Sequence, residues 1–286
     1  MTKQEMLRIA MRQSAEDMGC GPEDFQMSGN VLVPFHLGKN ARRYRSRLTS
    51  CSLVSYGNNV VAAATEGVRQ VVEQYIRRFE FYHCFEPPNL HWLNERLVRL
   101  GHKILCMEEY YLPDIDRIPE LSCTYDTRLL GQADFANLYR PEWSNALCAI
   151  RRELDVLGVG AFDGKKLVGL AACSADCDQM WQIGVDVLPE YRLQGIASAL
   201  TSALTREILN REKIPFYCSA WSNLRSVRNA VKSGFIPAWV EMSAMPIEEV
   251  DRINREQGNP RLNTVKMPGG QDNAVRGESE MDGLPE

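Results

Sequence analysis

The chain has 286 residues, 44% hydrophobic and 24% charged, enough apolar sequence for a sizeable core and, at ~100–200 residues per domain, enough length for one large domain or two ordinary ones. A formal net charge of −4 gives no global electrostatic case for binding nucleic acid. No apolar run approaches the ~20 residues of a membrane helix, and the N-terminus MTKQEMLRIAMRQSAEDMG lacks a signal-peptide core, so the expectation is a cytoplasmic chain that does not engage a membrane.

Residues 3–18 read as a helix, ended by Gly19 and by Gly21-Pro22. Residues 38–48, GKNARRYRSRL, read as a basic loop or short helix, and the five cations between Lys39 and Arg47 as a solvated face. Residues 51–64 look strand-like, broken at Gly57-Asn58. An amphipathic helix over 66–79 carries Val68, Val71, Val72, Tyr75, Ile76 and Phe79 on one side. A second helix over 89–100 closes at Gly101, and a strand follows at 104–111. Pro113 and Pro119 then bracket a linker.

The second half begins with a strand at 124–130, helices at 132–140 and 144–152, and a strand at 156–162 that turns through Asp163-Gly164 into 166–173. Strand 180–187, a long helix at 195–210, strand 215–221, helix 223–233 and strand 235–244, interrupted by Pro237, complete it. Residues 268–286, rich in Gly, Pro and acid, read as a disordered tail. The expected units are an N-terminal α/β domain over 1–118, a domain over 122–245 and that tail. Asn89-Leu90, a helix, Gly101-His102 and a strand echo Asn223-Leu224, a helix, Gly234-Phe235 and a strand. The first half therefore reads either as a degenerate copy of the second or as an unrelated use of common helix–Gly–strand punctuation.

Nine cysteines at irregular spacing fit reduced thiols better than a disulfide framework. Cys173 and Cys177 have no second pair or nearby histidine, so no metal site is expected.

The chemistry concentrates in Trp181-Gln-Ile-Gly-Val-Asp-Val187 and Leu188-Pro-Glu-Tyr-Arg-Leu-Gln-Gly-Ile-Ala197. A strand ends, the chain turns, and glycine stands where a helix begins. Unpaired N–H groups and the positive dipole end make such a start a pyrophosphate site. Gly195 admits close backbone approach, Ala197 keeps the first turn small, and Arg192 adds a cation. The chain lacks Gly-x4-Gly-Lys-Ser/Thr, which argues against ATP.

Arg-x-x-Gly-x-Ala after Val-x-Val-x-Pro-x-Tyr, followed by Trp221-Ser-Asn223 and Ser233-Gly-Phe235, resembles the GNAT superfamily of N-acetyltransferases over about 122–245. The order strand–helix–helix–three strands–helix–strand–helix–strand is that superfamily's. The resemblance implies an α+β acyl-CoA N-acyltransferase fold with acetyl-CoA as co-substrate. It implies that Val185 and Val187 pair through their backbone with the pantetheine arm. The amides of Arg192, Leu193, Gln194, Gly195, Ile196 and Ala197 would hold the pyrophosphate, with Asn223 on the CoA arm and Ser226 one turn later. Asn223 is also a good helix N-cap. The chain further looks like a two-part subgroup of that superfamily with a divergent first half.

The sequence departs from the pattern at the acid and the base. Gln182 and Cys218 stand where many relatives carry glutamate, and Ala230 where many carry the tyrosine that protonates the thiolate. The candidates left are Asp186 as proton relay, Tyr217 or Tyr191 as proton donor, and Cys218 as nucleophile. Glu142, Trp143 and Asn145, with Gln182, are candidates for lining the acceptor site. The expected acceptor is a small-molecule or peptide amine. The alternative is a catalytically silent acyl-CoA sensor or scaffold.

Overall fold

The first helix is specified at its ends. Thr2 Oγ1 accepts from the Glu5 amide at 3.2 Å while Glu5 Oε2 accepts from the Thr2 amide at 2.6 Å, so two otherwise orphan donors are satisfied. Helix α1 runs Lys3–Met18 and stops at Gly19, whose φ of 77° is left-handed. The computed structural model describes residues 1–257. The tail reading at 268–286 lies outside them. Among the described residues no helix is long and apolar enough to cross a membrane.

Strands β1 (Val31–Pro34), β2 (Cys51–Ser55) and β3 (Val61–Ala64) lead to helices α2 (Glu66–Arg78) and α3 (Pro87–Arg99) and strand β4 (His102–Pro113). The second half supplies β5 (Asp126–Gly131), β6 (Asp155–Asp163), β7 (Lys166–Ser174), β8 (Met180–Val187), α4 (Ile196–Leu209), β9 (Ile214–Ser219), α5 (Leu224–Lys232), β10 (Phe235–Pro246) and α6 (Ile247–Gln257). The strands form one sheet in the order β1-β3-β2-β10-β4-β9-β8-β7-β6-β5. Buried strands β2 and β3 are continuous apolar or small runs, as a strand covered on both faces should be.

The middle of that sheet is where the halves meet. β4 lies antiparallel between β9 and β10, and β10 lies antiparallel between β4 and β2. Gly101 and Gly234, with φ of 83° and 91°, each turn the chain out of a helix and into one of these two strands. Each half thus lends its last strand to the sheet of the other. The divide drawn near residues 118–122 does not divide the sheet. Pro237 has no N–H to give, and the β10–β4 register shifts between it and Trp239.

Two expected helices are absent. The stretch from 132 to 154 instead holds only short 3-10 turns, Gln132–Phe135, Pro141–Trp143 and Arg152–Leu154. Side chains from outside take the amides that a helix would use. The Asp155 carboxylate accepts from Cys148 N at 2.7 Å, and Asp186 accepts from Asn145 N and Ala146 N at 2.8 and 2.9 Å. Strand β1 and helix α6 were not foreseen. β1 has four residues, too few for a period, and α6 follows Pro246 and, among its described side chains, buries only Val250 and Ile253.

Alternation along β9 sorts the core into two faces. Phe216 packs with Met6, Ala10 and Trp239 beneath α1. Tyr217 packs with Ile196, Leu200, Ala230 and Phe235 beneath α4 and α5. A third cluster, around Leu53, Val68, Tyr75 and Leu97, seats α2 and α3.

Candidate active site

β8 and β9 start as a parallel pair, Met180↔Ile214, Trp181↔Pro215 and Gln182↔Phe216. There the pairing ends. β8 stays with β7 as far as Val187↔Gly169, while β9 takes β4 as its partner at Tyr217↔Tyr111, Cys218↔Tyr110 and Ser219↔Glu109. The sheet therefore splits beyond Gln182 and Phe216. The β8 edge from Ile183 to Val187 faces a gap with no strand in it.

The wide end of the gap opens onto a cleft of about 200 Å³ beside the start of α4. Gly195 precedes α4 with φ 82° and no side-chain cap, so the first-turn N–H groups of α4 point into this cleft without a helical partner. Leu193, fully exposed, holds φ 64°, a left-handed conformation that costs a branched residue energy, in the turn before Gly195. A Cβ on Gly195 would meet nothing nearer than Lys232 Nζ at 3.8 Å, so the cradle above it is open. Ile196 is anchored instead: a Cβ on Gly169 would strike its Cγ2 at 2.7 Å. Arg192 Nε donates to the Val187 carbonyl at 3.0 Å, and Gln194 Oε1 accepts from Tyr125 at 3.0 Å. The opposite wall is a stripe on α5, Arg225, Arg228 and Lys232. All three are exposed and make no ion pair with a described residue. Their spacing of three and four puts them on one face of the helix, a signal that the sequence reading passed over.

Asn223 caps α5, its Oδ1 accepting from Ser226 N at 3.3 Å. Ser226 Oγ lies 2.9 Å from the Tyr217 hydroxyl. Burial raises the Tyr217 pKa, and hydrogen bonds to Ser226 and Asn229 oppose the rise. Ala230 is wholly buried, and its methyl supplies no acid at position 230. Tyr191 lines the cleft rather than the gap, and its hydroxyl donates to Asp163 Oδ2 at 3.0 Å.

The other face of the split carries Gln182, Gly184 and Asp186 from β8 and Cys218 from β9. Gln182 Nε2 donates to Cys218 Sγ at 2.9 Å. The Asp186 carboxylate accepts three bonds from the 145–146 loop, the third from Asn145 Nδ2 at 2.7 Å, and so clamps that loop over the strand. Gly184 permits the approach, since a Cβ there would sit 1.8 Å from the Asn145 carbonyl oxygen. Trp143 is 4% exposed and packs with Phe135 and Leu170, so it offers no platform, while Glu142 beside it is exposed.

One carboxylate was missed. Glu108 on β4 accepts a hydrogen bond from Cys218, and burial raises its pKa. The basic loop is also not the solvated face expected. Lys39, Arg43 and Arg47 point out, but Arg42 is buried over the Phe216 ring and pairs with Asp17 at 3.2 Å. Arg45 Nη2 donates to Glu241 Oε2 at 2.6 Å and its Nε to Asp17 at 3.1 Å. Among the described residues no cluster of three or more His, Cys, Asp or Glu is placed to hold a metal.

With that geometry, residues 116–238 match the family model described as GNAT acetyltransferase. This segment is a GNAT acetyltransferase domain. Similar solved structures include a GCN5-related N-acetyltransferase-like protein from Streptococcus suis, 18% identical, TM-score 0.40, covering 56% of this chain and 68% of that one. A GCN5-related N-acetyltransferase from Kribbella flavida is 16% identical, TM-score 0.42, over 72% and 91%. An aminoglycoside N-acetyltransferase in complex with CoA is 18% identical, TM-score 0.32, over 41% and 91%. No curated protein matches the sequence. The GNAT domain contains β5 to β9 and the start of β10, whereas β4 and Glu108 lie before it.

Proposed function

We propose that this protein transfers an acetyl group from acetyl-CoA directly to an amine, within a ternary complex. The observation that carries the reading is the change of partner along β9. It leaves the β9-side edge of β8 from Ile183 to Val187 without a partner strand, and a pantetheine arm, itself two amides long, can occupy a strand's place there. The same gap leads to the start of α4, where free N–H groups, Arg192 and the α5 stripe match the anionic end of CoA. Tyr217, its proton retained by burial, stands on the α4 face as the donor to the departing thiolate.

The test is calorimetric titration with CoA, paired with thiol release from acetyl-CoA across a panel of amines. Gly195→Trp fills the cradle and forces a bulky residue into φ 82°, so CoA binding should be lost while the far-UV spectrum is kept. A folded Gly195→Trp protein with unchanged CoA affinity contradicts the donor site. Ala230, buried where relatives carry tyrosine, favours the silent-binder reading. CoA binding without thiol release from any amine would decide for that reading.

A further inference from the structure

We infer that the first half of the chain builds the acceptor side of the site, and that Glu108 on β4 receives the acceptor as an ammonium ion and takes its proton. The inference rests on the acyltransferase reading above.

Register places Glu108 there. Cys218 pairs with Tyr110, so Glu108, two residues along, lies on the same face of the sheet just past the end of β9. Gln182 pairs with Phe216, so Gly184 is level with Cys218 across the split. Glu108 therefore stands at the mouth of the gap, opposite the stretch of β8 that holds Gly184 and Asp186. A polar chain crosses the split at this point: Gln182 Nε2 donates to the Cys218 sulfur, and the Cys218 thiol donates to Glu108.

Charge then distinguishes Glu108 from its neighbours. Glu241 faces it directly across the β4–β10 ladder, but Glu241 is forked by Arg45. Asp17 is shared by Arg42 and Arg45. Three carboxylates thus meet two guanidinium groups, and Glu108 has no ion-pair partner among the described residues, only a thiol. Cys106, Tyr110 and Cys218 are the other titratable groups that sense it. An unpaired carboxylate in a partly buried cluster with one excess negative charge is a receptor for a cation. Burial also lifts its proton affinity from the ordinary carboxyl range toward that of a useful general base.

The step balances. Glu108 takes one N–H proton from the ammonium ion, and the freed lone pair attacks the thioester carbonyl carbon. The C–N bond forms and the C–S bond breaks, its electron pair leaving on sulfur. Nitrogen loses a second proton as the amide forms. One of the two protons ends on the thiol, by way of Tyr217, and the other passes from Glu108 to solvent.

The experiment uses the full chain as wild type, Glu108→Gln and Glu108→Asp. CoA affinity is read by calorimetry. Thiol release from acetyl-CoA is read against pH with alkyl monoamines, diamines, polyamines, amino acids and amino sugars. Glu108→Gln should bind CoA within about twofold of wild type. Near neutral pH it should release thiol ~100-fold or more slowly, by the usual worth of a general base. Its rate should climb toward wild type as pH rises and the amine deprotonates unaided, and Glu108→Asp should retain part of the activity. Glu108→Gln with a wild-type rate and pH profile would overturn the inference and leave the acyltransferase standing. Wild type that binds CoA but releases no thiol with any of these amines would overturn the ammonium assignment. Wild type that fails to bind CoA would remove the reading beneath both.

Discussion

Arg228→Gln should move stability and ligand affinity in opposite directions. Arg228 sits between Arg225 and Lys232 on one face of α5, and the helix LRSVRNAVK contains no acid to offset the three cations. Like charges three or four residues apart on a helix cost about 0.2–0.5 kcal/mol each. Removing Arg228 relieves two such pairs, about 0.4–1 kcal/mol, which in a protein of this size raises Tm by roughly 1–3 °C. The cost appears on binding. Two unit charges at about 4 Å attract by about 1 kcal/mol in water and about 4 kcal/mol at the edge of a protein. The exposed cleft lies nearer the first limit, so the loss should be about 1–2 kcal/mol, or roughly 5- to 30-fold in the CoA dissociation constant. The weakening should be largest at low salt and fade as the Debye length shortens. Calorimetry at two ionic strengths, with a thermal melt of the free protein, reads all three quantities. Unchanged CoA affinity, or a lower Tm without ligand, would show that the stripe is a solvated face rather than an anion site.

Arg42→Ala should destabilise by about 3–5 kcal/mol in urea unfolding, because it strands part of a buried ion-pair cluster; a loss under 1 kcal/mol would contradict the inward reading of the 38–48 loop. Asp186→Asn replaces an acceptor of three hydrogen bonds with a group that keeps one acceptor oxygen. It should loosen the 145–146 loop and raise KM for the amine several-fold while CoA affinity holds; a fall in kcat alone, with a shifted pH profile, would instead favour a proton relay. Glu108 has a raised pKa in the fold, so the folded state holds that proton more tightly than the unfolded chain. The resulting stability is fully present below the unfolded carboxyl range and is lost as pH rises through the folded value. Glu108→Gln should therefore raise Tm at neutral pH, with the gain vanishing in acid; a gain that persists at low pH would mean its source is not this ionisation.

The glycine loop was legible because its signals are local: a strand, a turn and an amphipathic helix within a few residues. Helix α1 was legible for the same reason, with its stop at Gly19. What was hidden depends on partners far away in sequence. Arg42 reads as solvated until Asp17, on α1, takes its charge. The segment 144–152 reads as helix until Asp155 and Asp186 take its amides. β4 was expected as a strand, but nothing in its own pattern says that it enters the sheet between β9 and β10. Glu108 was therefore left out of the site, although two adjacent carboxylates within an otherwise apolar or aromatic strand were a signal available in ILCMEEYYL.

The most direct test of the donor site is the electron density of the protein crystallised with acetyl-CoA. The pantetheine arm should lie in the gap between β8 and β9, with its amides on the backbone of Val185 and Val187. The pyrophosphate should lie on the N–H groups at the start of α4, between Arg192 and the α5 stripe, with the thioester facing Cys218 and Glu108. Density for acetyl-CoA elsewhere on the molecule, with that gap closed by protein, would contradict it.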